Sequence, residues 1–234
     1  EPPRPLSTNA RNSAAFVLSS KVRHIGHAVS LLGRSRLESI VLSIAVRKTL
    51  AVTEVEGFDY VSFWLTAARR ACLARLIASA LHPATETESF TEGLLLDMGE
   101  LLVLGKKQRE YAALYQRWRK EGGLLRDLER AAFGYDHAVV GSLVAKEWHL
   151  PEHLVFALEY QHDREQAMYM EPAIQLVTLI KDRPEDPGME AVIEAAVANW
   201  QVNEQAMRAM VEEAFRHAEE FHELIDTPAP QANT

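Results

Sequence analysis

The sequence predicts an all-α protein, and three observations carry that expectation. Apolar residues recur at spacings of three and four through most of the chain, the signature of helices with one buried face. Glycines and prolines fall between these periodic segments rather than inside them. No alternating apolar/polar run is long enough to suggest a strand, and no fixed-period repeat suggests a solenoid.

The elements follow in order. Ser35-Arg36-Leu37-Glu38 reads as a capping box, with Leu37, Ile40, Val41, Ile44 and Ala45 at helical spacing behind it. Gly57 closes that region, and Phe58 to Leu81 reads as a long amphipathic helix stopped by His82-Pro83. Its expected apolar stripe is Val61, Leu65, Ala68, Cys72 and Leu76. Ser89-Phe90-Thr91-Glu92 reads as a second capping box, opening a helix through Leu104 that ends at Gly105. Tyr111 to Lys120 and Leu124 to Phe133 are shorter helices separated by Gly122-Gly123. Asp136 caps the next helix, which runs to Trp148, and Pro151 stands in the first turn of another that ends at His162. Pro172 to Asp182, Met189 to Trp200 and Asn203 to Ile225 complete the series. The last carries the stripe Met207, Met210, Val211, Ala214, Ala218, Phe221 and Ile225. A charged link at Glu54 to Asp59 divides a small N-terminal helical part, residues 1–57, from a helical core, 58–226, and 227–234 read as a disordered tail.

Composition excludes several classes. With 47% hydrophobic and 25% charged residues among 234, the chain has ordinary globular content. A net charge of −8 argues against nucleic acid, because phosphate binding needs clustered cations; the basic spots Arg69-Arg70, Lys106-Lys107 and Arg117 to Lys120 are short and local, in a chain with more acids than bases. The single cysteine, Cys72, permits no internal disulfide and fits a reducing, cytoplasmic setting; on its apolar stripe it is expected buried and inert. No uncharged apolar run approaches about 18 residues, and no signal-peptide pattern is present. The Pro-rich first nine residues and the absent initiator Met are what a fragment or a processed chain would show.

Several motifs carry no chemistry. Gly99 to Lys107 has five residues between its glycines where a phosphate loop has four. Its Lys107 stands where Ser or Thr would hold magnesium, and the segment lies in a helical pattern. There is no Gly-x-Ser-x-Gly elbow. Glu219 and His222 have ligand spacing but stand once, on a Glu-rich helix, so a solvated face is expected. His24 and His27 lack a carboxylate at ligand spacing, and His149 and His153 flank a turn at the expected surface.

His137 and His162 differ, because a family pattern meets them. Tyr135-Asp136-His137-Ala138-Val139-Val140-Gly141, followed by Trp148-His149-Leu150-Pro151, resembles the HDOD domain family, a non-catalytic relative of the HD phosphohydrolases found in bacterial signalling proteins. Asn12-Ser13-Ala14-Ala15-Phe16, Ile25 to Gly33, Phe63-Trp64 and Gly93 to Leu102 (GLLLDMGELL) are similar to further segments of that family in the same order. The resemblance spans roughly residues 10 to 182 and implies a multi-helix HD-like bundle with a small N-terminal helical subdomain.

An active HD enzyme is a helical cage in which a His, an adjacent His-Asp pair and a later Asp hold a divalent metal. The resemblance places Thr66 at the first His, Leu96-Asp97 at the pair and Asp182 at the late Asp, with His137 and His162 beside them. Leucine cannot ligate a metal and threonine replaces imidazole poorly, so no catalytic residue, metal or cofactor is expected. What remains of the site is expected to be a buried Asp97–His137 pair tying two helices together. The implied function is regulatory, through protein–protein contact with receiver, kinase or cyclic-dinucleotide signalling domains, without nucleic acid or membrane. The alternatives are a phosphohydrolase with a degenerate site, tested by loss of activity in Asp97→Ala and His137→Ala, and a nucleotide-binding sensor.

Overall fold

The computed structural model describes residues 55–226 and, before them, the isolated helical positions 41, 45, 48 and 49. The expected Ser35 capping box, His24, His27, the first two family-like segments and the tail lie outside the described residues. Among the described residues there are ten α-helices, one short 3-10 turn and no strand. We number the helices α1 (Tyr60–Leu81), α2 (Glu86–Leu95), α3 (Met98–Glu121), α4 (Leu125–Phe133), α5 (His137–Glu147), α6 (Glu152–Tyr160), α7 (Arg164–Ala167), α8 (Pro172–Val177), α9 (Met189–Trp200) and α10 (Glu204–Asp226). No helix among them is long and apolar enough to cross a membrane.

Helix α1 is the axis of the bundle. It begins two residues later than its pattern suggested, because the Asp59 carboxylate accepts the Ser62 backbone N–H at 3.0 Å and so takes the cap position. It packs against α2, α8 and α10. Its small residues Ala68, Ala71, Cys72 and Ala74 are fully buried and let those neighbours approach closely. On α2, a Cβ at Gly93 would stand 2.9 Å from the Arg70 carbonyl, so the two backbones touch there. The expected stripe holds at Ala68 and Cys72 but fails at Val61, which is 59% exposed at the helix start. Cys72 is buried, as expected, and burial pushes its thiol up to about 12, which keeps it protonated and unreactive. Met207, Val211, Ala214, Ala218 and Phe221 of α10 are buried, and Phe221 meets Phe90 of α2 edge-on at 5.6 Å.

Three boundary expectations are corrected. The Ser89–Glu92 segment lies within α2 rather than opening a helix, because the turn Pro83–Thr85 lets the chain enter the helix at Glu86. Glu86 and Glu88 then supply the first-turn acids that suit a helix N-terminus. The helix expected through Leu104 is broken at Leu96-Asp97 and starts again at Met98. It does not stop at Gly105 but bends at Gln108 (φ 43°, ψ −115°), so Tyr111 to Lys120 is the second arm of α3. Finally, α8 ends at Val177 rather than reaching Asp182. The Ile180 carbonyl accepts hydrogen bonds from Nε and Nη2 of Arg70 at 3.0 and 2.6 Å, and the chain leaves helical geometry to present it.

The crossing that sets the site is between α3 and α5. A Cβ at Gly99 would lie 2.0 Å from the His137 carbonyl oxygen, and Gly141 faces Gly99 from one turn along α5. Gly99 permits this approach, whereas a Cβ at Gly141 would meet Gly99 only at an ordinary contact distance of 3.4 Å; the crossing brings the start of α3 onto the first residue of α5.

Candidate functional site

Asp97 occupies the break between α2 and α3, not the middle of a helix. Its backbone carbonyl accepts the Glu100 N–H at 2.9 Å, while its side chain turns away from that helix end to pair with Arg70 of α1. Arg70 therefore bridges two elements, donating to the Asp97 carboxylate and to the Ile180 carbonyl. Burial would push the Asp97 carboxyl up, but the Arg70 guanidinium and then the His137 imidazole hold it below the ordinary value.

His137 is placed by its own segment. Gly134 ends α4 in the left-handed conformation (φ 81°), and Asp136 caps α5 by accepting the Val139 N–H at 3.0 Å. The Asp136 carboxylate is also paired with Arg130 at 2.7 Å. The His137 ring then faces Glu129 of α4, which takes Nδ1 at 2.6 Å and the His137 backbone N–H at 3.0 Å through the same oxygen. The other Glu129 oxygen accepts the Tyr111 hydroxyl at 2.7 Å. Burial alone would lower the His137 pKa; the Glu129 carboxylate, with Glu100 and Asp97, overrides it and raises the ring to about 10. The ring is thus a buried imidazolium held by a buried carboxylate.

On its far side, His137 Nε2 lies 2.8 Å from His162 Nε2, with the two rings nearly perpendicular at 4.8 Å. Burial and the neighbouring His137 charge push His162 down to about 3, so it is neutral and accepts the His137 proton donor. His162 is fixed from behind, its carbonyl accepting from Arg126. The preceding Gln161 donates to the Leu96 carbonyl at 2.8 Å, tying the end of α6 to the α2–α3 break.

The structure therefore brings together three of the six residues singled out in the sequence, Asp97, His137 and His162. The expected Asp97–His137 pair is present only at 3.7 Å, and each partner has a closer bond, to Arg70 and to Glu129. Thr66 and Leu96 are buried, and Leu96 takes part only through its backbone carbonyl. Asp182 is engaged elsewhere: it accepts from the Tyr115 and Ser62 hydroxyls and lies 3.6 Å from the Arg119 guanidinium. Thr66, the Leu96 side chain and Asp182 accordingly do not join Asp97, His137 and His162 in this network.

Three buried side chains of this network, Arg70, Glu100 and Glu129, carry no motif in the sequence. Arg70 falls in the basic spot Arg69-Arg70, although the spacing Phe63, Ala67, Arg70, Ala74 and Ile77 puts it on a buried face. Glu100 stands three residues after Asp97 within an apolar run and is buried, with its Oε2 lacking any partner. Burial, and after it the Asp97 charge, raises its carboxyl well above the ordinary range. Glu129 shares the inward face of α4 with Leu125, four residues earlier.

A cage of helices with a carboxylate at a helix break and two facing histidines defines an HD-like domain. The HDOD domain family model matches residues 9–164, two-thirds of the chain, and the chain belongs to that family. Solved structures share the fold. A Shewanella amazonensis SB2B protein named "Putative phosphohydrolase" is 24% identical, with a TM-score of 0.69 over 87% of this chain and 77% of that one. An HDOD domain protein with unknown function from Geobacter sulfurreducens is 20% identical, with a TM-score of 0.67 over 92% of this chain and 78% of that one. An uncharacterized protein of Treponema pallidum (strain Nichols) is 24% identical over 153 residues, 65% of this chain. The chain spans only 29% of the length of that relative.

Proposed function

We propose that this chain is a non-catalytic regulatory domain that works through protein–protein contact in bacterial signal transduction. The observation that carries this reading is the Arg70 guanidinium, bonded to the Asp97 carboxylate and the Ile180 carbonyl. A fixed internal cation on the one carboxylate of the His-Asp position opposes the loading of that carboxylate for phosphoester chemistry, and Leu96 removes its imidazole neighbour. A solved Marinobacter aquaeolei VT8 structure, 18% identical with a TM-score of 0.68, is named a signal transduction protein in putative terms, which agrees with this reading without carrying it. Val139 and Leu143, one turn apart on α5, are 41% and 59% exposed and offer an apolar contact on the outer side of the helix whose first residue is His137.

Two measurements test the proposal. Phosphodiesters and nucleotides incubated with the protein and Mg2+, Mn2+ or Zn2+ should show no turnover above the protein-free control. Hydrolysis that disappears in Asp97→Ala and His137→Ala would overturn it. A two-hybrid screen against bacterial receiver, kinase and cyclic-dinucleotide domains should yield a partner whose binding is weakened at least tenfold by Leu143→Glu. Failure of every such domain to bind the wild-type chain would count against the regulatory role.

A further inference from the structure

We propose that the outer faces of α4 and α5 form a docking surface for one acidic amphipathic helix of a partner protein. This surface rests on the regulatory reading and gives its partner a chemistry. Contacts within the fold trace it as one strip. At the α3 bend the Lys107 ammonium lies over the Phe133 ring at 5.3 Å. Phe133 shares a stripe of α4 with Arg130 and Arg126, at spacings of three and four. Arg130 Nη2 lies 2.7 Å from one oxygen of Asp136, and the other oxygen of that carboxylate accepts the Val139 N–H at 3.0 Å. Val139 and Leu143 follow on α5, both exposed and one turn apart. Cations and apolar side chains therefore adjoin from the α3 bend to the middle of α5.

Charge decides the partner's sign. Residues 106–130 hold eight Lys or Arg against four Asp or Glu, in a chain whose net charge is −8. Arg119 turns inward to Asp59 and Glu129 to His137, so neither belongs to the strip. Lys106 and Arg109 are exposed at the bend, and among the described residues neither they nor Lys107 stand in an ion pair. Asp136 is fully buried as the α5 cap, and Arg130 stays 55% exposed beside it. The acids at the rim are Glu110, Asp127 and Glu147, and Asp127 lies 3.4 Å from Arg126. A partner with carboxylates beside its apolar residues is attracted to such a strip, and a basic one is repelled. Spacing decides the partner's form. Val139 and Leu143 stand four residues apart, the ridge against which another helix packs. Nucleic acid would engage the cations and leave this apolar pair in water, and two side chains are too little apolar area to hold a lipid surface.

The test uses the full chain and two labelled peptides of about 18 residues, long enough to be helical. One carries Leu along a single face and Glu elsewhere; the other has Lys in place of every Glu. Fluorescence anisotropy should show the Glu peptide bound at least tenfold more tightly than the Lys peptide, with the difference fading as salt is raised. Leu143→Glu and Lys107→Glu should each weaken the Glu peptide at least tenfold. Arg216→Glu on α10 makes the same charge change as Lys107→Glu away from the strip, and should alter binding less than twofold. Leu143 is exposed, so its variant should fold even if Lys107→Glu does not. Equal binding of the two peptides, an equal loss in Arg216→Glu, or tighter binding of phosphatidylglycerol vesicles or a single-stranded oligonucleotide would overturn the proposal. A signalling domain that binds the wild-type chain and ignores Lys107→Glu would overturn this surface and leave the regulatory reading standing.

Discussion

Glu129→Gln is the most informative single perturbation, because one buried carboxylate serves three donors. Its oxygens accept the Tyr111 hydroxyl at 2.7 Å, the His137 backbone N–H at 3.0 Å and His137 Nδ1 at 2.6 Å. The variant keeps one carbonyl oxygen but turns an NH2 toward groups that are themselves donors. A buried donor left unpaired costs about 1–3 kcal/mol, and breaking a buried ion pair from one side costs about 3–5 kcal/mol. These terms overlap within one network, so the expected loss is about 4 kcal/mol. With a urea m-value of about 2 kcal/mol per M, the unfolding midpoint should fall by about 2 M.

A pH signature separates this mechanism from a packing defect. His137 has its folded pKa raised from 6.5 to about 10, so its stabilisation is complete below pH 6.5 and is lost as pH rises through about 10. Wild-type stability should therefore decline across that window, and in Glu129→Gln the decline should shrink toward nothing. Urea titrations at several pH values between 6 and 10 measure both effects. A loss below about 1 kcal/mol together with an unchanged pH slope would refute the assignment of Glu129 as the counter-ion of His137.

Three further outcomes are expected. Gly99→Ala would put a methyl group 2.0 Å from the His137 carbonyl oxygen, forcing α3 and α5 apart by about 1 Å, and should cost about 3 kcal/mol or more in calorimetry or urea unfolding. Arg70→Met alone and Asp97→Leu alone should each destabilise by about 3 kcal/mol, whereas the double variant should recover most of that loss, a coupling read from the double-mutant cycle. Glu92, whose burial raises its carboxyl from 4.5 to about 8, contributes stability that is complete below pH 4.5 and lost as pH rises through about 8. Glu92→Gln should flatten that part of the stability profile, and an unchanged profile would show that Glu92 ionises normally.

The fold class was legible in the chain alone, because a three- and four-residue apolar rhythm is a property of local chain geometry and survives in isolation. Most helix ends were legible too, where a cap or a turn residue acts within a few positions: Asp136 before α5, Phe133 as the end of α4, and Met189–Trp200 as expected. The order of short motifs sufficed for the family. Boundaries failed where a distant group intervened, as when Arg70 draws the Ile180 carbonyl out of helical pairing and shortens α8.

Who pairs with whom was settled by packing. Arg70, Asp97, Glu129 and His137 come from α1, the α2–α3 break, α4 and α5, and nothing in their spacing announces that two buried acids and two buried cations pair across four elements. The close crossing at Gly99 makes that meeting possible. Asp182 satisfies its hydrogen bonds with Tyr115 and Ser62 instead, and so stands outside the group it was expected to join. Burial supplied the rest, since a carboxylate cut off from water must find a cation, a donor or a proton, and which of these it finds depends on the packed neighbours.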